Sequence, residues 1–495
     1  MAVRESRLID SFAALVRRSG GSAVAEPGRD SGISSVAVDS RAVKPGGLFV
    51  ALPGERTDGH AFLDQAAAAG AAALLVSDAH ARAHRQELLS LASRHGAGIV
   101  AVADTLAALQ DLARQRMREL PDVTRVGVTG SNGKTTTKEI IGGLLGRHAP
   151  TAMNEGNLNS EIGLPVACFG VSAEHRYAVL EMGMNHRGEM DVLADIVRPD
   201  LALVTNIGTA HIGILGSRDA IAAEKKKVFA HFDGRQTAFL PEEDRYRAFL
   251  AEGIRGKVIL FGPKSTRGFG GSESMGLGGT IIHWEGSRIR FPLFGPHNLA
   301  NALGAISVAR ELGVPNAEIR DGLEAVTPLF GRSQVLTGPL TVIADCYNAN
   351  PDSMDRAVEF LEALGGEGRR IAVLGGMREL GAETIPAHAA LGARLRDTRL
   401  DAVLLFGEEM QHAWKAMEGG AAVPRALWTT SMDELSSRLR ALARDGDVVL
   451  LKGSRGVELE RLLPVLGFGS ASEAHGGAGA HRAADSGAGD GGRRC

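Results

Sequence analysis

Cysteine, aromatic residues and long apolar runs are all scarce in this chain. Its three cysteines, Cys168, Cys346 and Cys495, stand in unrelated contexts without CxxC spacing, so we expect neither a disulfide framework nor a structural zinc site. Aromatic residues make up only 4% of the chain and the formal net charge is −3, which argues against nucleic acid and anionic membranes as partners. This cysteine usage is typical of a reducing cytoplasm.

No apolar stretch approaches the ~18 residues that a membrane span requires. The first residues, MAVRESRLIDSF, carry charges where a signal peptide would need an apolar core. The 495 residues exceed what one hydrophobic core supports, and the usual ~150 residues per domain predict about three domains. We therefore expect a cytoplasmic protein of several domains, monomeric because no segment is typical of an assembly surface.

The segment 124–140, TRVGVTGSNGKTTTKEI, predicts a buried strand, a glycine loop and a helix start in direct succession. This order builds a phosphate cradle, because loop N–H groups and the positive end of the helix face the anion. Lys134 supplies a cation for the terminal phosphates, and Thr135 offers a hydroxyl ligand for Mg²⁺. The alternative is a plain glycine turn, since Val128 replaces the first glycine of the GxxxxGK[ST] pattern. We interpret the segment as a nucleoside triphosphate site, which does not by itself identify the reaction.

Alternating strand and helix patterns predict an α/β fold with a mostly parallel sheet at its centre. The pattern divides the chain into a small α/β domain (1–120), a central domain around the phosphate loop (121–331), a third α/β domain (332–467) and a glycine-rich tail expected to be disordered (468–495). Within the central domain, 280–294 predicts a β-hairpin, and the glycine-rich stretch 268–279 is expected to be a mobile loop. Ligands of such sheets gather at the carboxyl ends of the strands.

Polar residues follow several predicted strands at such ends. Glu181 closes the strand YAVLE, where a carboxylate suits Mg²⁺, although a surface glutamate is the alternative. His211 alone is more often structural than a metal ligand, and the lysine run 225–227 is usually a solvated face. In the third domain, two strands are followed by polar loops that are either ordinary turns or substrate contacts: Asp345, Asn348 and Asn350 in one, and Lys452, Ser454 and Arg455 in the other.

Two further groups stand at turns and at a helix start. His297, Asn298 and Asn301 begin a predicted helix, where amide side chains either cap the helix or bind a purine edge. Ser40 and Arg41 lie in the first domain next to glycines, where polar residues are either turn formers or part of a ligand rim.

Taken in order, these motifs resemble those of the Mur ligases of bacterial cell-wall synthesis. The resemblance rests on GSNGKTTT, LEMG, TNIGTAHIG, AAEKKK, GPHNLANA, FGRS and DCYNANPDS, and it covers about residues 30–466. DSRAVKPGGLFVALPGERTDGH, GNLNSEIGLP, YNANPDS and GGMRELG are similar to the family members that add D-alanyl-D-alanine. The resemblance implies a UDP-substrate-binding first domain, a central P-loop ATPase domain and a Rossmann-like C-terminal domain.

The resemblance also implies a role for each matching residue. Gly130, Ser131, Asn132, Gly133, Lys134, Thr135 and Thr136 would bind the ATP phosphates, His297 and Asn301 would approach the adenine, and Arg332 and Asp345 would approach the nucleotide. Two Mg²⁺ ions would be held by Thr135, Glu181 and His211, beside Lys225, the position that the family carbamylates; Lys134, His211 and Lys225 are the implied catalytic residues. Substrate contacts are implied for Ser40, Arg41, Asn157, Asn159, Asn348, Asn350, Lys452, Ser454 and Arg455.

The implied reaction is an ATP-driven peptide bond between D-alanyl-D-alanine and UDP-N-acetylmuramoyl-tripeptide (UDP-MurNAc-tripeptide) through an acyl phosphate. A sister ligase that adds one amino acid is the nearest alternative, but its DNPR signature is absent, and folylpolyglutamate synthases lack the DSR and YNAN features. A nucleotide-binding regulatory protein is a third alternative, although it would not need Glu181, His211 and Lys225 as a second metal centre. The third residue of the tripeptide, lysine or diaminopimelate, stays open.

Overall fold

The computed structural model describes residues 7–30, 32–54, 57–417 and 426–469. The tail predicted to be disordered lies outside the described residues from 470 onward. The chain forms two compact units: one comprises Met1–Ile207, Ala222–Arg267 and Ala300–Gly322, and the other comprises Gly208–Ile221, Gly268–Leu299 and Leu323–Cys495. Within the described ranges, none of the helices has the length and apolar character needed to cross a membrane.

The first unit begins with a five-stranded sheet in the order β1-β5-β4-β3-β2, in which only β1 is antiparallel to its neighbour. The central strands β4 and β5 are continuous apolar runs because both of their faces are buried. The elements are α1 (Phe12–Ser19), β1 (Ser22–Ala25), β2 (Val36–Ala37), β3 (Leu48–Val50), α2 (Leu63–Ala68), β4 (Ala73–Ser77), α3 (Asp78–Ala83), α4 (Arg85–His95), β5 (Gly98–Val102) and α5 (Thr105–Arg118).

The same unit contains a fully parallel six-stranded sheet in the order β11-β10-β9-β6-β8-β7. Strand β6 lies between β8 and β9, so the phosphate loop that follows β6 is flanked by the carboxyl ends of both neighbours. Along the chain the elements are β6 (Thr124–Thr129), α6 (Lys134–His148), β7 (Thr151–Met153), α7 (Gly163–Cys168), β8 (Tyr177–Glu181), α8 (Glu189–Val197), β9 (Leu201–Val204), α9 (Ile212–Leu215, in the second unit), α10 (Arg218–Lys226), β10 (Thr237–Pro241), α11 (Arg247–Ala251) and β11 (Lys257–Phe261).

The second unit contains a three-stranded antiparallel sheet: β12 (Phe269–Ser274), β13 (Thr280–Trp284) and β14 (Ser287–Phe291). The predicted β-hairpin is confirmed, but the prediction of a mobile loop over 268–279 is wrong. Its residues 269–274 form β12, which pairs with β13 through a bulge between Phe269 and Gly271. The prediction failed because β12 is an edge strand that is mostly exposed, so its sequence lacks the apolar alternation of a buried strand.

The second unit ends in a six-stranded sheet in the order β15-β16-β20-β17-β18-β19, parallel except for β15. The α/β class with mostly parallel sheets is therefore confirmed. The remaining elements are α12 (Pro296–Glu311), α13 (Asn316–Glu324), β15 (Gln334–Thr337), β16 (Thr341–Asp345), α14 (Pro351–Ala363), β17 (Arg370–Gly375), α15 (Thr384–Arg396), β18 (Ala402–Phe406), α16 (Met410–Met417), β19 (Ala426–Thr429), α17 (Met432–Leu442) and β20 (Val448–Lys452).

Candidate functional site

The phosphate loop joins the end of β6 to the start of α6, as the sequence predicts. Gly130 and Gly133 have φ of +143° and +80°, which residues with a Cβ rarely adopt. A Cβ on Gly130 would lie 1.9 Å from Thr205 Oγ1, and one on Gly133 would lie 2.6 Å from Asn301 Oδ1. Lys134 folds back so that its Nζ donates to the Gly130 carbonyl at 2.9 Å. The loop therefore requires both glycines. The Lys134 ammonium group is held against the loop backbone.

The residues after β9 hold the loop from the adjacent strand. The Asn206 carbonyl accepts from the Ser131 N–H at 2.9 Å, and the Asn206 Oδ1 accepts from the Asn132 N–H at 3.1 Å. The Asn206 Nδ2 and the Thr205 hydroxyl both donate to the Asn132 carbonyl, at 2.9 and 2.6 Å. The shape of the loop is therefore set by the protein's own hydrogen bonds, which is the pre-organisation that anion binding needs.

Glu181, the last residue of β8, lies beside the start of α6. Its carboxylate accepts hydrogen bonds from Thr135 Oγ1 at 2.7 Å and from Asn159 Nδ2 at 2.6 Å. Asn154 fixes the backbone of the same residue, because its Oδ1 accepts from the Glu181 N–H at 2.8 Å and its Nδ2 donates to the Glu181 carbonyl at 3.1 Å. Glu181 is only 2% exposed, so these neighbours rather than water set the position of the carboxylate.

These oxygens fit the magnesium ion that the family resemblance implies. Mg²⁺ prefers hard oxygen ligands and usually takes one or two from the protein and the rest from phosphates and water. The Thr135 hydroxyl and the Glu181 carboxylate oxygen are 2.7 Å apart, close enough for adjacent positions around one ion. In the described part of the chain, no cluster of three or more His, Cys, Asp or Glu side chains has the arrangement of a metal site. The donors therefore suit an ion shared with a nucleotide.

Lys225 is buried on α10, with a side chain that is 1% exposed. Burial, reinforced by the positive charge of Lys134, holds the pKa of Lys225 well below its usual value, although Glu224 and Glu181 favour the charged form. This environment favours the neutral, nucleophilic form of the Lys225 amine.

The next two lysines of the run have different environments. Lys226 is half-buried, donates to the Phe249 carbonyl at 2.7 Å and lies 4.4 Å from the centroid of the Phe249 ring. Lys227 forms ion pairs with Asp191 at 2.7 Å and Glu224 at 2.8 Å. Partial burial lowers the pKa of Lys227, but the hydrogen bonds to Asp191 and Glu224 outweigh it and raise the pKa overall. Of the three lysines, Lys225 alone is fully buried.

Lys138 and Asn154 belong to the site, although the sequence motifs do not indicate them. Each is 1% exposed, and Lys138 Nζ donates to the Asn154 carbonyl at 2.7 Å. Asn154 in turn fixes the backbone of Glu181, so Lys138 supports the position of Glu181 indirectly, through Asn154. The one hint in the sequence is that Lys138 lies one helical turn after Lys134. A lysine on the exposed face of the helix could have the same spacing, so this hint does not identify Lys138 as a site residue.

In the second unit, Asp345 and Lys452 end the neighbouring parallel strands β16 and β20 in register. Lys452 Nζ lies 2.7 Å from Asp345 Oδ2 and is 2% exposed, so the carboxylate compensates a buried charge. Asp345 Oδ1 also accepts from the Ser333 N–H at 3.0 Å, and Lys452 Nζ donates to the Asn348 carbonyl at 3.3 Å. Two predicted site residues are thus brought together at the carboxyl edge of this sheet.

Tyr347 brings two more predicted residues together. The guanidinium carbon of Arg332 lies 4.0 Å from the centroid of the tyrosine ring, and that of Arg455 lies 5.9 Å from it. Arg455 also forms an ion pair with Glu460 at 3.0 Å. A tyrosine between two cations is one contact that the sequence motifs do not indicate.

Asn350, Asn348 and Ser454 have local partners. Asn350 caps α14, since its Oδ1 accepts from the Ser353 N–H at 3.0 Å while Ser353 Oγ accepts from the Asn350 N–H at 3.0 Å. Asn348 Oδ1 accepts from the following backbone N–H at 2.8 Å, and Ser454 Oγ accepts from the Arg378 N–H at 2.9 Å. These bonds shape the loops, and the substrate contacts of the three residues stay predictions.

His297 and Asn301 both lie in the first turns of α12. Asn301 belongs to the first unit and approaches Gly133 of the phosphate loop. His297 is half-buried in the second unit, and its pKa is lowered to about 4. Burial is the main cause, Asp345 opposes it, and the charges of Arg356 and Lys452 add to it. The imidazole is therefore neutral at neutral pH.

The other predicted residues have contacts of their own. His211 begins α9 in the second unit with φ of +64°, and its Nδ1 lies 2.9 Å from Glu379 Oε2. The Asn157 carbonyl accepts from the Asn159 N–H at 2.8 Å, and the Asn159 side chain donates to Glu181. Thr136 is half-buried on the first turn of α6.

Ser40 and Arg41 form a short 3₁₀ turn after β2. Ser40 Oγ donates to Gln65 Oε1 at 3.0 Å. Arg41 is strongly exposed and pairs with Asp39 at 2.6 Å, and this hydrogen bond lowers the pKa of Asp39 to about 2. The guanidinium is thus held at the surface by a carboxylate that stays ionised.

Models of three Mur ligase domains match the chain. The model described as "Mur ligase family, catalytic domain" matches residues 32–117, "Mur ligase middle domain" matches residues 128–309, and "Mur ligase, glutamate ligase domain" matches residues 331–455. The phosphate loop, Glu181 and Lys225 lie within the middle match.

Relatives and solved structures agree with these matches. The UDP-N-acetylmuramoyl-tripeptide–D-alanyl-D-alanine ligase of Treponema pallidum is 42% identical over 436 residues, 88% of this chain and 94% of the relative. The ligase of the same name from Bacillus subtilis is 33% identical over 443 residues, 87% of this chain and 92% of the relative. MurF from Acinetobacter baumannii has a TM-score of 0.80 at 31% identity, covering 92% of this chain and 99% of that one. MurF from Thermotoga maritima in complex with ADP has a TM-score of 0.73 at 28% identity, covering 87% and 96%. The chain belongs to the Mur ligase family.

Proposed function

We propose that this chain is an ATP-dependent ligase that joins D-alanyl-D-alanine to UDP-MurNAc-tripeptide and releases ADP and phosphate. Similarity over nearly the whole length to ligases of that name supports the choice of both substrates. The observation that carries the proposal is the pair of oxygens on Thr135 and Glu181, 2.7 Å apart, at the phosphate loop, because it suits a magnesium–nucleotide complex.

Each domain of the proposed enzyme has its own task. Residues 1–120 bind the UDP end of the donor, and the exposed guanidinium of Arg41 suits its diphosphate. Residues 121–331 bind ATP, and residues 332–467 bind the dipeptide and part of the nucleotide. The dispersal of these contacts favours a reaction that starts only when all substrates are bound.

The first step activates the carboxylate of the tripeptide. A carboxylate oxygen attacks the γ-phosphorus of ATP, the bond from that phosphorus to the bridging oxygen breaks, and an acyl phosphate and ADP result. Lys134 and the loop N–H groups bind the phosphates and reduce the repulsion between the two anions. Magnesium, two ions by the family resemblance, would supply a Lewis acid at the phosphoryl oxygens and would be held by Thr135, Glu181 and His211.

The second step forms the peptide bond. The neutral amine of D-alanyl-D-alanine attacks the acyl carbon, the carbon–oxygen bond to phosphate breaks, and phosphate leaves while the nitrogen loses a proton to solvent. Lys452 and Arg455 are cations suited to the carboxylate of the dipeptide. The other proposed contacts are Asn157, Asn159, Asn348, Asn350 and Ser454 for the substrates and His297, Asn301, Arg332 and Asp345 for the nucleotide.

Lys225 is proposed to carry a carbamate in the active enzyme. Only an unprotonated amine reacts with CO₂, and the depressed pKa of Lys225 favours that form. The nitrogen bonds the carbon of CO₂ and loses a proton, so the residue gains a negative charge close to Lys134.

The proposed setting is the cytoplasm, and the proposed state is a monomer. Cys168 and Cys346, the cysteines that the structure describes, are free and buried. Burial raises the pKa of each thiol to about 12, so both are unreactive thiols that suit a reducing compartment.

The test is release of phosphate from ATP and Mg²⁺ in the presence of UDP-MurNAc-tripeptide, supplied in its lysine and diaminopimelate forms. Each donor is combined with D-alanyl-D-alanine, with a single amino acid or with no acceptor. The mass of the product is measured by mass spectrometry. We expect release only with the dipeptide and a product extended by it. Extension by one amino acid would identify a sister ligase, and no release with any acceptor would favour a nucleotide-binding protein.

A further inference from the structure

The segment Gly208–Ile221, which carries His211, is held by a carboxylate at the start of α14. Asp352 Oδ2 accepts from the Thr209 N–H at 2.8 Å and from the Thr209 hydroxyl at 2.9 Å. Asp352 Oδ1 accepts from Arg218 Nη2 at 2.7 Å. One carboxylate thus fixes both ends of the segment by charge-assisted hydrogen bonds.

A second set of contacts holds the middle of the segment. Glu379 Oε2 lies 2.9 Å from His211 Nδ1, and the Glu379 carbonyl accepts from the Gly213 N–H at 3.1 Å. The two backbones touch here, because a Cβ on Gly213 would lie 2.3 Å from the Gly381 nitrogen. We call Asp352, Glu379 and the Gly213–Gly381 contact the clasp.

The role of Asp352 is not explained by its own helix. Asn350 and Ser353 already form a complete capping box at the start of α14. Asp352 lies between them with a side chain that is 22% exposed, and among the described residues its side-chain hydrogen bonds are all to the segment. Glu379 has φ of +65°, a strained conformation for a residue with a Cβ, and it makes both of the described contacts to the segment from there.

We propose that Asp352 and Glu379 are positioning residues that fix the place and the ring orientation of His211, a proposal that rests on the proposed role of His211 beside magnesium. The contact of the Glu379 carboxylate at 2.9 Å engages Nδ1 of the ring and leaves the other ring nitrogen, Nε2, outside this contact and able to bind a metal. Asp352 fixes the position of the segment, and Glu379 fixes the orientation of the His211 ring.

The first test compares Asp352→Ala with Asp355→Ala. Asp355 is an exposed carboxylate on the same helix, and no described hydrogen bond or ion pair joins it to the segment, so it is a matched control. Hydrogen exchange of the peptide 208–221 in the protein without ligands should become about tenfold faster in D352A and stay unchanged in D355A. Unchanged exchange in D352A would overturn the clasp, whatever the activity of the enzyme.

The second test asks whether the contact between Glu379 and the His211 ring affects catalysis without disturbing the fold. Glu379→Gln should lower kcat about 10- to 100-fold and raise the Mg²⁺ concentration for half-maximal rate, while the KM for D-alanyl-D-alanine stays unchanged. Glu383→Gln, an exposed glutamate four residues on, should change neither value. Gly213→Ala, which keeps both acids but pushes the backbones apart, should reproduce the faster exchange.

The outcomes distinguish this proposal from the proposed function. An active enzyme in which E379Q keeps the wild-type kcat and Mg²⁺ dependence would overturn the positioning role and leave the ligase function intact. An inactive wild-type protein would remove the ligase function, and the exchange data would still decide whether the clasp exists.

Discussion

Identical side chains in this protein take different roles according to burial. Lys225, Lys226 and Lys227 follow one another, yet Lys225 alone is fully buried, and its pKa is depressed whereas that of Lys227 is raised. A run of lysines usually indicates a solvated face, and the family resemblance rather than the run itself identifies Lys225. The burial of Lys225 is the observation that supports that choice, which stays a prediction.

Replacement of Lys225 by methionine should raise the stability of the protein. The unfolded state binds a proton at Lys225 below its usual pKa of 10.5, and the folded state does so much less. Burial of the neutral amine therefore costs stability at neutral pH, and this cost disappears as the pH rises towards 10.5. Urea unfolding of K225M and wild type in CO₂-depleted buffer should show a difference that shrinks with rising pH. A constant difference would contradict the depressed pKa.

The same variant should lose activity. Removal of a group that organises charge at a phosphoryl-transfer site lowers kcat by about 100-fold or more. Lys226→Met is the matched control, because the contacts of the Lys226 amine are with Phe249, on the neighbouring helix α11. Bicarbonate should raise the thermal midpoint of the wild type but not that of K225M. Loss of activity in K226M with activity retained in K225M would refute the assignment of the lysine.

His297 gives a prediction of the same sign in a lower pH window. Its folded pKa of about 4 lies below the ordinary value of 6.5, so the unfolded state binds more protons between these values. Stability should therefore fall as the pH drops from 6.5 towards about 4. His297→Gln should remove this loss, about 3 kcal/mol in all, as measured by urea unfolding across the window. Parallel profiles for H297Q and wild type would contradict a neutral His297.

At the scale of elements, the phosphate loop depends on its glycines, and Gly130 has the least room for a side chain. Gly130→Ala would bring a Cβ to 1.9 Å from Thr205 Oγ1 at a φ of +143°. We expect a loss of about 1–3 kcal/mol of stability and a large rise in the KM for ATP. Gly143→Ala is the control, because Gly143 lies in α6 and a Cβ there would have no atom within 4 Å. It should stabilise the protein by about 0.5–1 kcal/mol without changing that KM.

The elements also show what the sequence can and cannot predict. β6, the loop and α6 follow from a local pattern of apolar residues, glycines and a helix start, and the structure confirms them. The sequence does not predict strands β12, β15 and β19, because each lies at the edge of a sheet and lacks a fully buried face. Edge strands are determined by their partner rather than by their own composition.

The site shows the same division. A local motif identifies Lys134 and Thr135, whereas it misses Lys138 and Asn154. The place of Asn154 in the site depends on the pairing of β7 with β8. This pairing brings Asn154 to Glu181, which is 27 residues away along the chain. Strand order is a property of the sheet, so no local pattern in this sequence could reveal that contact.

At the scale of the whole molecule, the tryptophans report on one compact unit. The chain has three, Trp284, Trp414 and Trp428, and all lie in the second unit. Far-UV circular dichroism detects both units, because both contain helices and sheets. The two signals together can therefore show which unit a ligand stabilises.

Nucleotide should stabilise both units if Arg332 and Asp345 contact it as proposed. Mg²⁺ with ADP at about 100 times its Kd should add about 2.7 kcal/mol, because a ligand that binds only the folded state shifts the unfolding equilibrium. We expect thermal midpoints from circular dichroism and from tryptophan fluorescence to rise together. Lys134→Met should abolish the rise of both thermal midpoints. Arg332→Gln should reduce the rise measured by fluorescence and keep part of the rise measured by circular dichroism. If nucleotide left the fluorescence midpoint of the wild type unchanged, the second unit would take no part in binding the nucleotide.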